Sequence, residues 1–184
     1  LMVMPFSYIW ADVIIDNSDS GFQANNDSEW IASYDPPWLC YGNDIRYNAT
    51  GDGADQATYT FVISIPGDYE IYTWGSSHPA LSQDTPYTIP FSDGTVTILF
   101  NQQINDGQWN LLATGYFEEG EYQIIISDDA SGSFVSADAV MISRLNNPPV
   151  LDPIENKMID EFELLEFTVI ANDPDHDDLT YSAD

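Results

Sequence analysis

Tyr59, Phe61, Ile63 and Ile65 recur at every second position of the stretch Ala57–Ile65. A period of two sends successive side chains to opposite faces, so this stretch predicts a half-buried antiparallel strand. Short runs rich in Val, Ile, Tyr, Thr and Phe recur along the chain between clusters of Gly, Asn, Asp and Pro, and no window carries a convincing helical period. The runs predict strands at Val13–Ile15, Ala57–Ile65, Asp68–Trp74, Thr85–Pro90, Thr95–Asn101, Gln108–Phe117, Gly120–Ser127 and Ala137–Ser143. Ser92-Asp-Gly94 reads as the hairpin turn between Thr85–Pro90 and Thr95–Asn101, and Glu118-Glu-Gly120 as another tight turn. Many short strands with regular turn punctuation predict an all-β fold, an antiparallel β-sandwich of jelly-roll-like form.

Asn146-Asn-Pro-Pro149 interrupts this pattern. Proline has no backbone N–H to give a sheet, so the pair ends the last strand and stiffens a short linker. The sandwich is thus expected over 12–145, the linker over 146–149, and a partial Ig-like β segment over 150–184. That segment holds an apolar strand at Leu164–Ala171, an acidic turn at Asn172–Asp178 and a strand start at Leu179–Tyr181. At 35 residues it falls well short of the roughly 100 of an Ig-like sandwich. Residues 1–11, with Met4, Phe6, Ile9 and Trp10, read as an apolar arm or strand that buries itself against something, in preference to the remnant of a secretory signal.

Charge changes the picture. The chain carries 31 Asp and Glu against Arg46, Arg144 and Lys157, a formal net charge of −28. Such a surface repels phosphates and anionic headgroups, so neither nucleic acid nor membrane insertion is expected. Its self-repulsion calls for screening cations, and Ca2+ suits oxygen-rich acidic loops. Two loops compete for it: Asp16-Asn-Ser-Asp19, and the turn bearing Asp173, Asp175, Asp177 and Asp178.

Little here supplies catalysis. Cys40 is the only cysteine and His78 and His176 the only histidines. No internal disulfide or thiolate cluster is available, and histidine-based acid–base chemistry is poorly provided. Nothing cationic flanks Cys40, which reads as a buried apolar thiol. Carboxylates are so abundant that no pair stands out for glycoside hydrolysis, and the chain is not expected to be an enzyme.

The aromatic residues offer a binding surface instead. Trp30, Trp38, Trp74, Trp109, Tyr34 and Tyr41 have flat faces of the kind that stack on pyranose rings. Trp74 and Trp109 lie within alternating strands and read as core, which leaves Tyr34, Trp38 and Tyr41 as the glycan-binding candidates. Arg46 is expected to pair with Asp138, or with Asp16, as a structural ion pair whose breaking would cost several kcal/mol. Asn26-Asp-Ser28 and Asn48-Ala-Thr50 match the N-glycosylation triplet.

The ordered motifs from Val13 to Ser143 carry a resemblance. They are Val13-Ile-Ile-Asp-Asn-Ser-Asp-Ser-Gly-Phe22, Trp30, Tyr41-Gly-Asn-Asp-Ile-Arg-Tyr47, Gly67-Asp-Tyr-Glu-Ile-Tyr-Thr-Trp74, Gly107-Gln-Trp-Asn-Leu-Leu112 and Ser136-Ala-Asp-Ala-Val140. Together they resemble the golvesin C-terminal, xanthan lyase carbohydrate-binding-like domain. The resemblance implies a β-sandwich appended to secreted lyases, amidases and peptidases, binding glycan or cell wall. Pro148 to Tyr181 is similar to the first half of a cadherin-like or Ig-like repeat.

Two function classes follow. In the first, favoured for the arm and the unfinished second segment, the chain is an extracellular structural or adhesive subunit. It forms a homo-oligomer, surface layer or filament by strand addition of Met4, Phe6, Ile9 and Trp10 to a neighbour. In the alternative it is a carbohydrate-binding module of a secreted polysaccharide- or cell-wall-active protein.

Overall fold

The structure, a computed structural model, describes residues 2–3, 12–34, 39–175 and 178–182. Among them there are strands and no helix. In chain order these are β1 (Met2–Val3), β2 (Val13–Asp16), β3 (Phe22–Ala24), β4 (Ile31–Tyr34), β5 (Asp44–Ala49), β6 (Gln56–Ile63), β7 (Gly67–Trp74) and β8 (Thr85–Phe91). They continue with β9 (Gly94–Phe100), β10 (Trp109–Phe117), β11 (Gly120–Ser127), β12 (Phe134–Ala137), β13 (Ala139–Arg144), β14 (Val150–Leu151), β15 (Ala171–Asn172) and β16 (Tyr181–Ser182). Cα packing divides the chain into two compact units, Ala11–Leu145 and Leu1–Trp10 with Asn146–Asp184.

The larger unit is an antiparallel sandwich. One sheet runs β10-β7-β13-β2 and the facing one β3-β6-β11-β8-β9, with a three-stranded sheet β12-β5-β4 alongside. In β6 the period of two is realised: Ala57, Tyr59, Phe61 and Ile63 are buried while Val62 faces solvent. Phe117, fully buried, makes edge contacts with Phe61 and Tyr69 and a tilted one with Phe91, joining the sheets. Ser92 and Asp93 close the β8–β9 hairpin, in register from Phe91↔Gly94. The Glu118–Glu119 turn instead carries the chain between sheets, since β10 pairs with β7 and β11 with β6.

Several strands depart from the sequence reading. Phe22–Ala24, Ile31–Tyr34 and Asp44–Ala49 are additional. Phe22–Ala24 and Ile31–Tyr34 are three and four residues long, too short for a period to declare itself. Asp44–Ala49 does alternate polar with apolar residues, but over six positions only. Ala137–Ser143, read as one strand, is two: β12 joins β5 and β13 joins β7 and β2, and the chain changes sheets at Asp138.

In the smaller unit the expected strand Leu164–Ala171 is absent apart from Ala171, which begins β15. Leu164, Leu165, Phe167 and Ile170 are exposed. An apolar run without a partner strand and a packed face gains nothing from extension. The described ladders there are β14–β15 and β1–β16, each two residues long on either side. Met2 and Val3 pair with Ser182 and Tyr181 of the same chain, so these backbone groups find partners internally. Met4, Phe6, Ile9 and Trp10 lie outside the described residues.

Candidate functional site

Trp74 ends β7 and Trp109 begins β10, directly opposite in the antiparallel register. Both point to the outer face of their sheet. In β7 the inward residues are Tyr69, Ile71 and Thr73, leaving Glu70, Tyr72 and Trp74 outward. The expectation that Trp74 and Trp109 are core is therefore corrected: both are half-buried, and among the described residues the fully buried tryptophan is Trp30. Tyr41 completes an aromatic cluster, its ring centroid 5.5 Å from that of Trp74 and 5.3 Å from that of Trp109, with the indoles 5.2 Å apart and nearly perpendicular. The next row of the same face, Leu111↔Tyr72↔Met141↔Ile14, extends the apolar surface, with Leu111 about half exposed.

The local sequence builds this corner. The connection into β10 turns through left-handed Asn105 (φ 61°) and Gly107 (φ 66°). Gly75 donates its N–H to the Gln108 carbonyl at 2.9 Å and accepts from the Gly107 N–H at 2.7 Å. The approach is so close that a Cβ on Gly75 would stand 2.0 Å from the Asn105 carbonyl oxygen. On the other side the Trp74 indole N–H donates to the Leu39 carbonyl at 2.8 Å, tethering the segment that carries Cys40 and Tyr41.

Carboxylates lie beneath that segment. Asp138, at the sheet change, is 3% exposed. It accepts from the Tyr41 backbone N–H at 3.1–3.2 Å and from the Ser76 hydroxyl. Burial, opposed by those bonds and reinforced by Asp16 and Asp44, pushes its pKa up to about 8. Asp16 is also raised, chiefly by burial. Asn17 donates its side-chain N–H to Asp44 at 3.0 Å, while its Oδ1 is buried without a partner. Acceptors thus outnumber donors in this corner, which favours a proton on Asp138. The Cys40 thiol is held up at about 11 by burial and then by Asp138, so it stays protonated and poorly nucleophilic at neutral pH. It is half-buried and not fully enclosed.

The remaining candidates fall as follows. Tyr34 ends β4, paired with Asp44, and its side chain, like Trp38 and Asp177, lies outside the described residues. Asp19 accepts the Asp16 backbone N–H at 2.9 Å, and Asp16 accepts from Asn17 and Ser18, so these carboxylates close their own turn. Asp173 accepts from the Asp175 N–H, Asp175 holds the backbone and side-chain N–H groups of Asn147, and Asp178 is exposed. Among the described residues no three His, Cys, Asp or Glu side chains converge to hold a metal ion. Arg46 does not reach Asp138. It pairs with exposed Asp27 at 3.0 Å and donates to the Trp30 carbonyl, because β5 directs it toward the turn before β4. Asn48 is 2% exposed and so closed to modification in the folded state. Asn26 is half-exposed, with its amide bonded to Asp55. A separate cavity of about 220 Å3, with Ile45, Tyr47, Leu81 and Phe134 in its walls, includes neither Asp16 nor Asp138. No described helix is long and apolar enough to cross a membrane.

Known proteins share this architecture. Xanthan lyase of Bacillus sp. (strain GL1) is 29% identical over 132 residues, 70% of this chain and 14% of the enzyme. The solved Paenibacillus xanthan lyase is 33% identical with a TM-score of 0.66, covering 73% of this chain and 13% of that one. The CBM35 from Cellvibrio japonicus Abf62 is alike in fold, with a TM-score of 0.51 at 9% identity over 73% of this chain and 95% of its own. The chain therefore spans only about one-seventh of the xanthan lyases it matches. Residues 13–144 match the Golvesin C-terminal domain from the first strand of the sandwich to the last, and the chain belongs to that family.

Proposed function

We propose that this chain is a non-catalytic carbohydrate-binding module of a secreted polysaccharide-acting protein, and that it binds through Tyr41, Trp74 and Trp109. The observation that carries the reading is the exposed side of this cluster at the edge of an outward sheet face. Flat rings offer the hydrophobic faces of sugars a surface, while the exposed amide side chains of Asn105 and Gln108 offer hydrogen bonds nearby. The family and the xanthan lyase likeness support it. Asp138, although raised in pKa, is buried and holds the backbone of the Tyr41 loop, and Asp16 closes its own turn, which supports a binding role over a reacting one. On the same reading residues 150–184 open a cadherin-like or Ig-like repeat that follows the module. Assembly through strand addition draws no support from Met2–Val3, which pair within the chain.

Affinity electrophoresis through gels containing soluble polysaccharides tests the proposal. Trp109→Ala is expected to lose retention by about tenfold or more in affinity, about 1.4 kcal/mol, while Trp109→Phe keeps part of it. Unchanged retention of a folded Trp109→Ala protein would refute this site.

A further inference from the structure

We infer that the aromatic face selects uncharged glycans and discriminates against polysaccharides that carry carboxylate or sulfate groups. The inference rests on the glycan-binding reading and adds a ligand class to it. Recognition of an anionic sugar calls for arginine or lysine, whose N–H groups pair with its oxygens. The surroundings of Tyr41, Trp74 and Trp109 supply the opposite. Asp16 lies against Gly42, next to Tyr41, 3.3 Å from where a Cβ there would stand, and Asp44 takes the Asn17 amide at 3.0 Å in the same corner. On the far side Asp106 accepts from the Ser77 N–H at 3.0 Å, just past Gly75. Along the outer face Glu70 accepts from the Tyr72 hydroxyl at 2.7 Å.

The two arginines of the sandwich lie elsewhere. Arg46 is occupied by Asp27 and the Trp30 carbonyl. Arg144 sits opposite Tyr69, five residues before Trp74 in β7. That is roughly 16 Å along the strand and beyond a Debye length of about 8 Å at physiological salt. Between residues 12 and 145 twenty Asp and Glu stand against two arginines, so the sandwich is strongly anionic as a whole and its field is negative at low salt. A neutral pyranose stacks without a Coulombic cost, whereas a uronate or sulfate arriving there meets like charge.

The test uses the whole chain in affinity gels holding matched pairs, hydroxyethylcellulose against carboxymethylcellulose and galactomannan against carboxymethyl galactomannan. Gels are run in EDTA at low and high NaCl, and again with Ca2+ in place of EDTA. The expected result is a neutral polysaccharide retained about tenfold more strongly than its carboxymethyl partner at low salt, with the gap narrowing as salt rises. A carboxymethyl partner retained equally or better, in EDTA or only with Ca2+, would overturn the inference while leaving the module's glycan binding intact. Retention by neither member of any pair would end the glycan-binding reading itself, and this selectivity with it.

Discussion

Replacing Asp138 with asparagine keeps the shape of the side chain and removes its ionisation. Asp138 is 3% exposed, and its environment pushes its pKa from 3.8 to about 8. Burial is the leading cause, and the Ser76 and Tyr41 hydrogen bonds work against it. The folded protein therefore holds a proton there that the unfolded chain gives up above pH 4. Because the folded-state pKa is raised, its contribution to stability is fully present below the unfolded value, declines through the window from about pH 4 to about pH 8, and is gone above it. A difference of about 4 units at 1.36 kcal/mol each amounts to on the order of 5 kcal/mol. Asparagine escapes this decline. It retains an acceptor for the Tyr41 N–H, and the Ser76 hydroxyl can turn to accept from the new amide. The stability difference between Asp138→Asn and wild type should thus move in the variant's favour by several kcal/mol between pH 4 and pH 8, then level off. Any lost packing or hydrogen bonding appears as an offset independent of pH. Urea unfolding in EDTA, followed by fluorescence at half-unit intervals of pH, reads the difference directly. A gap that stays constant across the window would show that Asp138 is ionised throughout in the folded protein, and would refute the reasoning.

Two further predictions concern stability. Gly75→Ala places a methyl 2.0 Å from the Asn105 carbonyl oxygen. It should cost about 2–4 kcal/mol, because backbone on both sides must move; a melting temperature within a degree of wild type would contradict the close approach. Asp27→Ala breaks the Arg46 ion pair, yet Asp27 is 76% exposed, so the loss should stay below about 1 kcal/mol and fall with added salt. A loss of several kcal/mol in chemical denaturation would mean the pair is far better shielded than its geometry indicates.

The sandwich was legible because its longest strands bury one face and wet the other: Tyr59, Phe61 and Ile63 declare β6 unaided. The aromatic site was misread for a related reason. Alternation sorts a strand into two faces without saying which is inner, and β7 has aromatics on both. The signal lay in Glu70, which shares its phase with Tyr72 and Trp74 and so marks their face as outward, while polar Thr73 is buried against Tyr87. For Trp109 a register shift between Leu111 and Ala113 breaks the phase along β10, and nothing local in the sequence announces it. Trp30 sits in a polar turn with no period to place it, yet it is fully enclosed. Asp138 stood out as an acidic residue in an apolar run, and a cation was its expected partner. Its partners are a backbone amide and a hydroxyl, because the chain changes sheets at that point and turns the side chain inward.

Titration of 15N-labelled protein with a neutral polysaccharide that it retains, observed at the indole N–H resonances, tests the binding face most directly. The account predicts progressive shifts or broadening at Trp74 and Trp109, with buried Trp30 unmoved as an internal reference. Saturable binding that leaves the Trp74 and Trp109 signals in place would contradict it.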